Sequence, residues 1–293
     1  TSTGFGGGLF AFGALTITNS TFSGNHADNA GGLFHGNGSL TMTGSTVSGN
    51  TTKYQGAGIN LQDSTAVISN STISGNSSEL SQGGIAVLSY NPGVVNPARL
   101  TLRKSTVTGN TSIAPYAAIW SADADTTPTV VTTLESTLVA DNPGGNLVAT
   151  LTVSGNDVPQ TGANRALMQV SNGYNLDSDG TSGFVNGVNG DIVGTTGSPI
   201  NPQIRPLANN GGPTQTHALC AAVGVPTGCT AASPAYDQGM NKQSEAQQVV
   251  RTGSSGTFTL TFNGQTTSSI AFNATGATVQ TALNTLSSIG GVG

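Results

Sequence analysis

Charged side chains are scarce in this sequence, in which Asp, Glu, Lys and Arg make up only 7% of the 293 residues. The 13 acidic and 8 basic residues are spread thinly, so no basic stripe could follow a phosphate backbone. No apolar run approaches the ~18–20 residues of a membrane-spanning helix. We therefore expect neither nucleic acid as a partner nor membrane insertion of this chain.

Cysteine is almost absent as well, and its two copies, Cys220 and Cys229, stand close together in a Gly/Pro-rich stretch. No His or further Cys lies beside them at metal-ligand spacing, so a disulfide is a better interpretation than a metal pair. The chain starts at Thr1 without a signal peptide, which suggests a processed product or an excised fragment. Disulfides are typical of oxidising compartments, so an extracellular, cell-surface location is expected.

Aromatic residues, at 5%, and runs of helix-favouring residues are also rare, whereas Gly, Thr, Ser, Val and Ile are abundant. This balance favours strands and tight turns. The low charge argues against disorder, which needs low hydrophobicity together with high net charge.

One seven-residue motif recurs along the chain, as "NSTFSGN", "GSTVSGN", "NSTISGN" and "KSTVTGN". Its first Ser is the anchor of a coil and defines coils 1 to 5: Ser20, Ser45, Ser71, Ser105 and, in a degenerate copy, Ser136. Mostly apolar residues stand five and three positions before the anchor and two positions after it. Because these slots differ in strand parity, each copy contains a short strand, a corner and a second short strand.

A further strand follows a Gly-rich turn in each coil, with one apolar residue facing inward: Leu9, Leu33, Ile59, Ile85 and Ile119. Three short strands in about 25 residues cannot close a core, so successive coils must stack to bury their apolar faces. Parallel strands joined by crossovers wind in a right-handed sense. The sequence therefore predicts an all-β, right-handed parallel β-helix over residues 1–200.

An Asn closes each full motif, after a Gly at a turn: Asn25, Asn50, Asn76 and Asn110. Asn tolerates left-handed backbone conformations, and stacked Asn side chains can form a hydrogen-bonded ladder. The Ser and Thr hydroxyls would point outward or bond across neighbouring coils. Glycosylation at the Asn-x-Ser/Thr patterns of Asn19, Asn50, Asn70 and Asn110 is the competing interpretation, and we favour the structural one because several lie at corners.

The repeat weakens after Asn142, and the loop-rich residues 201–244 are predicted to cap the last open coil. Residues 245–293 differ in character. "GTFTLTFNGQTTSSIAF" (256–272) alternates and contains an Asn-Gly hairpin signal, and residues 277–289 show helical spacing. They predict a small partial β–β–α module, which is either truncated or completed by a strand from another molecule.

The coils, together with "GYNLDSDG", "PLANNGGPTQTHAL" and "SPAYDQG", resemble bacterial secreted and surface β-helix proteins. They are similar to polymorphic outer-membrane-protein repeats followed by a choice-of-anchor type cap, over roughly residues 5–240. Residues 245–293 resemble the first part of a module repeated in very large bacterial extracellular proteins. The resemblance implies secretion, surface display, adhesion or a structural role, and it supplies no catalytic residues.

Two connections lengthen at the same corner of consecutive coils, between Ile85 and Leu100 and between Ile119 and Val131. Such loops often carry function, and they bring together the candidate ligand-binding residues Tyr90, Asn91, Arg99, Trp120, Asp123 and Asp125. Trp120, Phe34 and Phe10 have outward parity. They either form a row of exposed rings that stack on sugars, or are covered by the loops as a satellite core.

Calcium is the single cofactor that the sequence suggests. "NLDSDG" (175–180) matches the opening of a calcium loop through Asn175, Asp177 and Asp179, although Asn186 stands where the loop requires Glu.

The acidic residues form no cluster at matching slots of neighbouring coils, so no catalytic residue is predicted. The expected function is that of an extracellular structural or adhesive protein, with self-association through its ends or its incomplete C-terminal module. The alternatives are a carbohydrate-binding module that contacts surface glycans at the loop corner, and a polysaccharide lyase or hydrolase of the β-helix type.

Overall fold

A computed structural model of the chain describes residues 2–90, 97–113, 117–124, 128–153, 156–238, 255–262 and 265–286. The chain falls into two compact units, Thr1–Lys242 and Gln243–Gly293. The boundaries expected from the sequence, at residues 200 and 244, stay predictions.

The first unit consists of short strands with one α-helix. Its strands are β1 Ser2–Phe5, β2 Leu9–Thr18, β3 Thr21–Ser23, β4 His26–Asn29, β5 Leu33–Thr43, β6 Thr46–Ser48, β7 Thr51–Thr52, β8 Ile59–Ser69, β9 Thr72–Ser74, β10 Ser77–Ser78, β11 Ile85–Ser89, β12 Arg99–Arg103, β13 Thr106–Thr108, β14 Ile119–Asp123, β15 Val131–Glu135, β16 Leu138–Ala140, β17 Leu147–Val153, β18 Asn156–Pro159, β19 Gln169–Ser171, β20 Leu176–Asp177 and β21 Ile192–Val193. The helix α1 spans Gly162–Met168, and a 3-10 turn spans Val188–Gly190.

These strands form three sheets, in which nearly every pair is parallel. Sheet A contains β1, β4, β7 and β10, and sheet C contains β3, β6, β9, β13, β16, β20 and β21. Sheet B contains the remaining strands of the first unit and forks at β8, one branch continuing through β11 and the other through β12. Strands that are about one coil apart in sequence pair with each other, so the first unit is a parallel β-helix.

The strand pattern of the early coils differs from the predicted one. In coils 1 to 3 the strand that follows the Gly-rich turn and the strand before the corner form one continuous strand, β2, β5 or β8, and sheet A supplies a strand that the sequence did not indicate. A residue with positive φ bends each long strand in the middle, namely Gly13, Asn37 or Asp63. The long loops of coils 4 and 5 are inserted at this bend, which is why sheet B forks there.

The core is one continuous cluster inside the coils. In register, Leu33, Ile59, Ile85, Ile119 and Leu147 form one fully buried column along sheet B. Val47, Ile73, Val107 and Val139 form another along sheet C. Stacking thus buries aliphatic side chains that no single coil could cover.

The predicted register of coil 5 is wrong by one residue. Leu134 pairs with Leu102 and is fully buried, whereas the sequence placed Val131 and Thr133 inward. The anchor of this coil is Thr137, which aligns with Ser105. Because side chains alternate along a strand, a slip of one residue turns every side chain to the other face. Leu138 consequently points outward and packs under the cap.

The predicted cap segment lies along the side of the β-helix rather than only across its last coil. Thr214 Oγ1 donates to Gly44 O (3.0 Å), Thr46 Oγ1 donates to Gln215 O (2.6 Å), and Ser74 Oγ lies 2.7 Å from His217 Nε2. These contacts reach coils 2 and 3 and bury the outer face of sheet C. The hydroxyls there are therefore largely covered by the chain itself.

The second unit contains two short antiparallel pairs and a helix. β22 Thr257–Phe258 pairs with β25 Ile270–Ala271, and β23 Thr261–Phe262 pairs with β24 Gln265–Thr266. The helix α2 spans Gly276–Asn284, and the Thr275 side chain caps its N-terminus by accepting a hydrogen bond from Thr278 N. None of the helices among the described residues is long and apolar enough to cross a membrane.

Candidate functional site

Tyr90 and Asp123 lie at the predicted loop corner. They are close to each other because β11 and β14 are paired, with Ser89 opposite Asp123. The Tyr90 amide donates to Asp63 Oδ1 (3.3 Å), its hydroxyl donates to Gln55 Oε1 (2.8 Å), and its side chain is 44% exposed. Asp123 is buried, so only Tyr90 of this pair presents surface to a ligand.

The Asp123 carboxylate forms hydrogen bonds with residues that follow it closely in the chain. Its Oδ2 atom accepts hydrogen bonds from the amide and hydroxyl of Thr129, both at 2.6 Å, and from Val130 N at 3.1 Å. Arg99 is exposed at the start of β12, on the other branch of sheet B. Asn91 and Asp125 lie outside the described residues.

Trp120 is not an exposed ring, since only 3% of its surface is accessible. Its Nε1 donates to Thr150 Oγ1 (2.8 Å), and the ring packs with Ala86, Leu88 and Val148. Trp120 is therefore not part of a row of exposed rings; it lies in a small apolar cluster on sheet B, while the expected covering by the long loops stays a prediction.

The two phenylalanines of the predicted row also differ. Phe34 is 2% exposed, whereas Phe10 is 49% exposed and stacks on Phe34 with ring centroids 4.8 Å apart. Phe5 and Phe12 complete this aromatic cluster on the first two coils. Of the three predicted outward rings, only Phe10 could meet a partner surface.

The motif-closing Asn side chains bond from coil to coil. Asn50 Oδ1 accepts from both the amide (2.9 Å) and the side chain (3.0 Å) of Asn25, and the pattern continues through Asn76 and Asn110 to Asn142. From Asn50 to Asn142, each side chain also donates to a backbone carbonyl of the coil before it, as Asn76 does to Val47 O. Asn50, Asn76 and Asn110 are fully buried, so their amides are occupied by this Asn ladder.

The anchor hydroxyls form a second ladder, which the sequence only suggested as one of two possibilities. Ser71 Oγ donates to Ser69 O (2.8 Å) and accepts from Ser45 N (3.2 Å), and the same pattern links Ser20 to Ser45. Thr137 and Asn175 take over the role in the later coils. This anchor ladder satisfies the backbone groups at a buried corner.

The side chains of the three predicted calcium residues are occupied by hydrogen bonds within the chain. Asn175 belongs to the anchor ladder, and Asp177 accepts from Asn146 Nδ2 (2.7 Å) and from Ser182 N (3.0 Å). Asp179 accepts from the amide and hydroxyl of Thr181. Among the described residues, no three His, Cys, Asp or Glu side chains form a group that could hold a metal ion.

Burial raises the pKa of Asp179 above its ordinary value, hydrogen bonds from Thr181 oppose this shift, and the charge of Asp177 adds to it. Burial also lowers the pKa of His35 and of His217, each partly offset by a hydrogen bond with a backbone carbonyl, Gly13 O and Arg205 O respectively. His35 contacts Ser64 Oγ (2.6 Å) inside the coil. Both neutral imidazoles serve packing, one in the core and one under the cap.

The cap segment itself is closed by a disulfide between Cys220 and Cys229, with the two Cα atoms 5.6 Å apart. Arg205 Nη1 donates to Gly228 O (3.0 Å) across the same loop. The cap segment also forms one wall of a cavity that the sequence did not indicate.

This cavity lies between the outer face of sheet C and the cap and has a volume of about 340 Å³. Lys104, Ser136 and Tyr174 line one side, and Leu219, Ala235 and Gln238 come from the cap segment. Residues of the cap and of sheet C are far apart in sequence, so no local pattern could have revealed the cavity. We call it the corner cavity.

A comparison with protein families gives one match. The family model described as right handed beta helix region covers residues 3–134. These residues are similar to the right-handed β-helix family. The match covers less than half of the chain, and together with the parallel sheets it shows an all-β, right-handed β-helix. No curated protein and no solved structure matches the chain.

Proposed function

We propose that the chain is an extracellular, structural and adhesive β-helix of a bacterial cell surface. The observation that carries this proposal is the pair of buried ladders, which run through successive coils and make them one rigid rod. The resemblance of the repeats and cap to polymorphic outer-membrane-protein and choice-of-anchor sequences supports it.

The buried carboxylates support a non-catalytic role. Asp123, Asp177 and Asp191 each accept hydrogen bonds from amides or hydroxyls of their own surroundings. General acid–base chemistry instead needs carboxyl groups aimed at a substrate. We infer that these side chains hold loops and corners in place.

The disulfide in the cap supports an extracellular location, because such bonds persist mainly in oxidising compartments. An antibody against the chain should label intact cells of the source organism without permeabilisation. Beads coated with the native chain should adhere to those cells better than beads coated with heat-unfolded chain. Labelling that requires permeabilisation, or equal adhesion of both bead types, would contradict the proposal.

Self-association is part of the proposal. Strands β2 and β3 of coil 1 each pair with a described strand on one side only, β5 and β6 respectively. An edge of this kind can pair with another chain. Sedimentation velocity at increasing concentration should show oligomers or filaments, and a strict monomer at the highest concentration would remove this part.

Glycan binding at the loop corner is the second candidate, because Tyr90, directly before the first long loop, is 44% exposed. On a glycan array, Tyr90→Ala should lose binding while Tyr54→Ala, which changes another exposed tyrosine, retains it. Binding that survives Tyr90→Ala would exclude this corner. Cleavage of acidic glycans in the presence of Ca²⁺ would instead favour a lyase.

A further inference from the structure

Six residues at equivalent corners, each directly before an anchor, share a left-handed backbone with φ between 48° and 60°: Asn19, Gly44, Asn70, Lys104, Ser136 and Tyr174. The amide of each of the first five donates to the carbonyl of the residue that precedes the next member, so the six form one column. Gly and Asn adopt this conformation readily, whereas a long or bulky side chain is unusual there. Lys104 and Tyr174 are therefore the unexpected members of the column.

The same two residues line the corner cavity, on either side of Ser136. Lys104 and Tyr174 are two coil steps apart. Because neighbouring strands are ~4.8 Å apart, the Cα atoms of these two residues are separated by about 10 Å. Backbone strain tends to be retained where it positions functional side chains. The two unusual corner residues thus lie at opposite ends of one cavity wall.

The Tyr174 ring is held in place by the next corner. A Cβ atom added at Gly190 would lie only 2.8 Å from Tyr174 Cδ1, so the ring rests directly on this glycine. The remaining wall consists of five apolar residues, Leu138, Leu176, Ile192, Leu219 and Ala235, together with Ser105, Thr106, Thr137 and Asn175. Small-molecule sites combine apolar surface with polar groups that orient the ligand, and this cavity offers both.

Lys104 supplies the charge of the cavity. Among the described residues, no carboxylate lines the cavity, and the ion pair joins Arg103 to Glu135 rather than involving Lys104. An ammonium group beside apolar walls favours a ligand with one negative charge and a flat apolar body. We propose that the corner cavity binds small amphiphilic carboxylates, with Lys104 on the carboxylate and Tyr174 against the apolar body.

The test uses the full chain and naphthalene-2-carboxylate, with naphthalene-2-carboxamide as the neutral isostere, in isothermal titration calorimetry. For a ligand of about 13 non-hydrogen atoms we expect a dissociation constant around or below 1 mM. The carboxamide should bind at least tenfold more weakly. Glucuronate, which carries the charge without the apolar body, should also bind at least tenfold more weakly.

The variants Lys104→Asn and Tyr174→Gly use residue types that the column already contains at Asn70 and Gly44, so both should fold. Each should weaken naphthalene-2-carboxylate binding at least tenfold, while the melting temperature stays equal or rises. Lys53→Asn and Tyr54→Ala change an exposed Lys–Tyr pair elsewhere and serve as matched controls that keep full affinity.

Three results would overturn the proposal: no saturable binding of naphthalene-2-carboxylate, unchanged affinity in both corner variants, or glucuronate binding at least as tight as naphthalene-2-carboxylate. The last result would show that hydroxyl recognition, rather than the apolar wall, selects the ligand. Surface adhesion by the rod is a separate property, so loss of binding in these variants should leave bead adhesion unchanged.

Discussion

Each coil contains three nearby positions, and each position requires a different physical property of the residue that occupies it. The corner needs a left-handed backbone, the anchor after it needs a short side chain that both donates and accepts, and the closing position needs a side-chain amide. Asn70, Ser71 and Asn76 meet these demands in coil 3. The recurring motif is therefore explained by the hydrogen bonds that the backbone requires at these positions, and not by contact with a ligand.

Asn76→Ala should destabilise the chain by about 2–4 kcal/mol, because it removes several hydrogen bonds and leaves buried backbone groups unsatisfied. Asn70→Gly, at an exposed corner with positive φ, should change stability by less than about 0.5 kcal/mol. Urea denaturation followed by circular dichroism measures both. Equal effects of the two changes would show that the Asn ladder adds little.

Stability should fall as the pH drops below about 6.5, the ordinary pKa of histidine. Burial lowers the pKa of His35 and His217, so the unfolded chain binds more protons than the folded one in this range. The contribution of the neutral rings is complete above pH 6.5 and is lost on acidification below it. Melting temperatures at pH 7.5 and 5.5 test this, and His217→Gln should reduce the difference between them.

At the scale of strands and turns, the insertions in coils 4 and 5 change the strand pairing of sheet B. Sheet B is continuous through β2, β5 and β8 and forks where coils 4 and 5 carry loops at the bend. Asp63 stabilises the neighbouring turn by accepting from Ser89 Oγ (3.0 Å) and Tyr90 N. The Trp120 ring packs with Ala86, Leu88 and Val148, which belong to the β11 branch of sheet B, and forms a local apolar cluster there.

Leu134→Ala should cost about 2–4 kcal/mol, since its side chain is fully buried in the core of coil 5. Thr133→Ala, one position earlier and on the outward face, should cost less than about 1 kcal/mol. Chemical denaturation of both variants distinguishes this register from the one inferred from the repeat. The opposite order of effects would restore the sequence-based register.

The repeat alone could not place coil 5 correctly, because its anchor is Thr rather than Ser and the nearby Ser136 matched the pattern. Pairing with coil 4 decided the register, through the contact of Leu102 with Leu134. Strand alternation is equally compatible with either choice over five residues, so only packing against a neighbour resolves it.

At the scale of the whole molecule, the cap segment converts a simple rod into one with a covered face. Leu219 and Ala235 pack on Leu138 and Leu176 and form a second apolar cluster outside sheet C. The corner cavity exists because this covering is incomplete between the corner column and the cap. Its chemistry therefore depends on residues about 130 positions apart, such as Lys104 and Ala235.

Leu219→Ser should loosen the cap and lower stability by about 1–3 kcal/mol, because it removes apolar contact from this second cluster. Hydrogen exchange measured by mass spectrometry should show faster exchange in residues 203–220. Strands β2 and β5, which lie in sheet B, should keep their protection. Uniformly faster exchange throughout the first unit would contradict local docking.

The sequence by itself determined the coil. Its repeating anchors, apolar slots and glycine turns leave stacking as the only way to bury the apolar side chains, and this predicts a right-handed β-helix. The small number of charged residues also argued against nucleic acid as a partner. Each of these properties is a local or periodic pattern of residues, so it can be recognised without the tertiary structure.

Tertiary structure decided where the outer surfaces lie. Only packing across the chain buried Trp120, covered the hydroxyls of sheet C with the cap, and placed Lys104 and Tyr174 around one cavity. Alternation specifies which side chains point outward, but not whether a distant segment covers them. That choice depends on the free energy of burying apolar surface between parts of the chain that no sequence period connects.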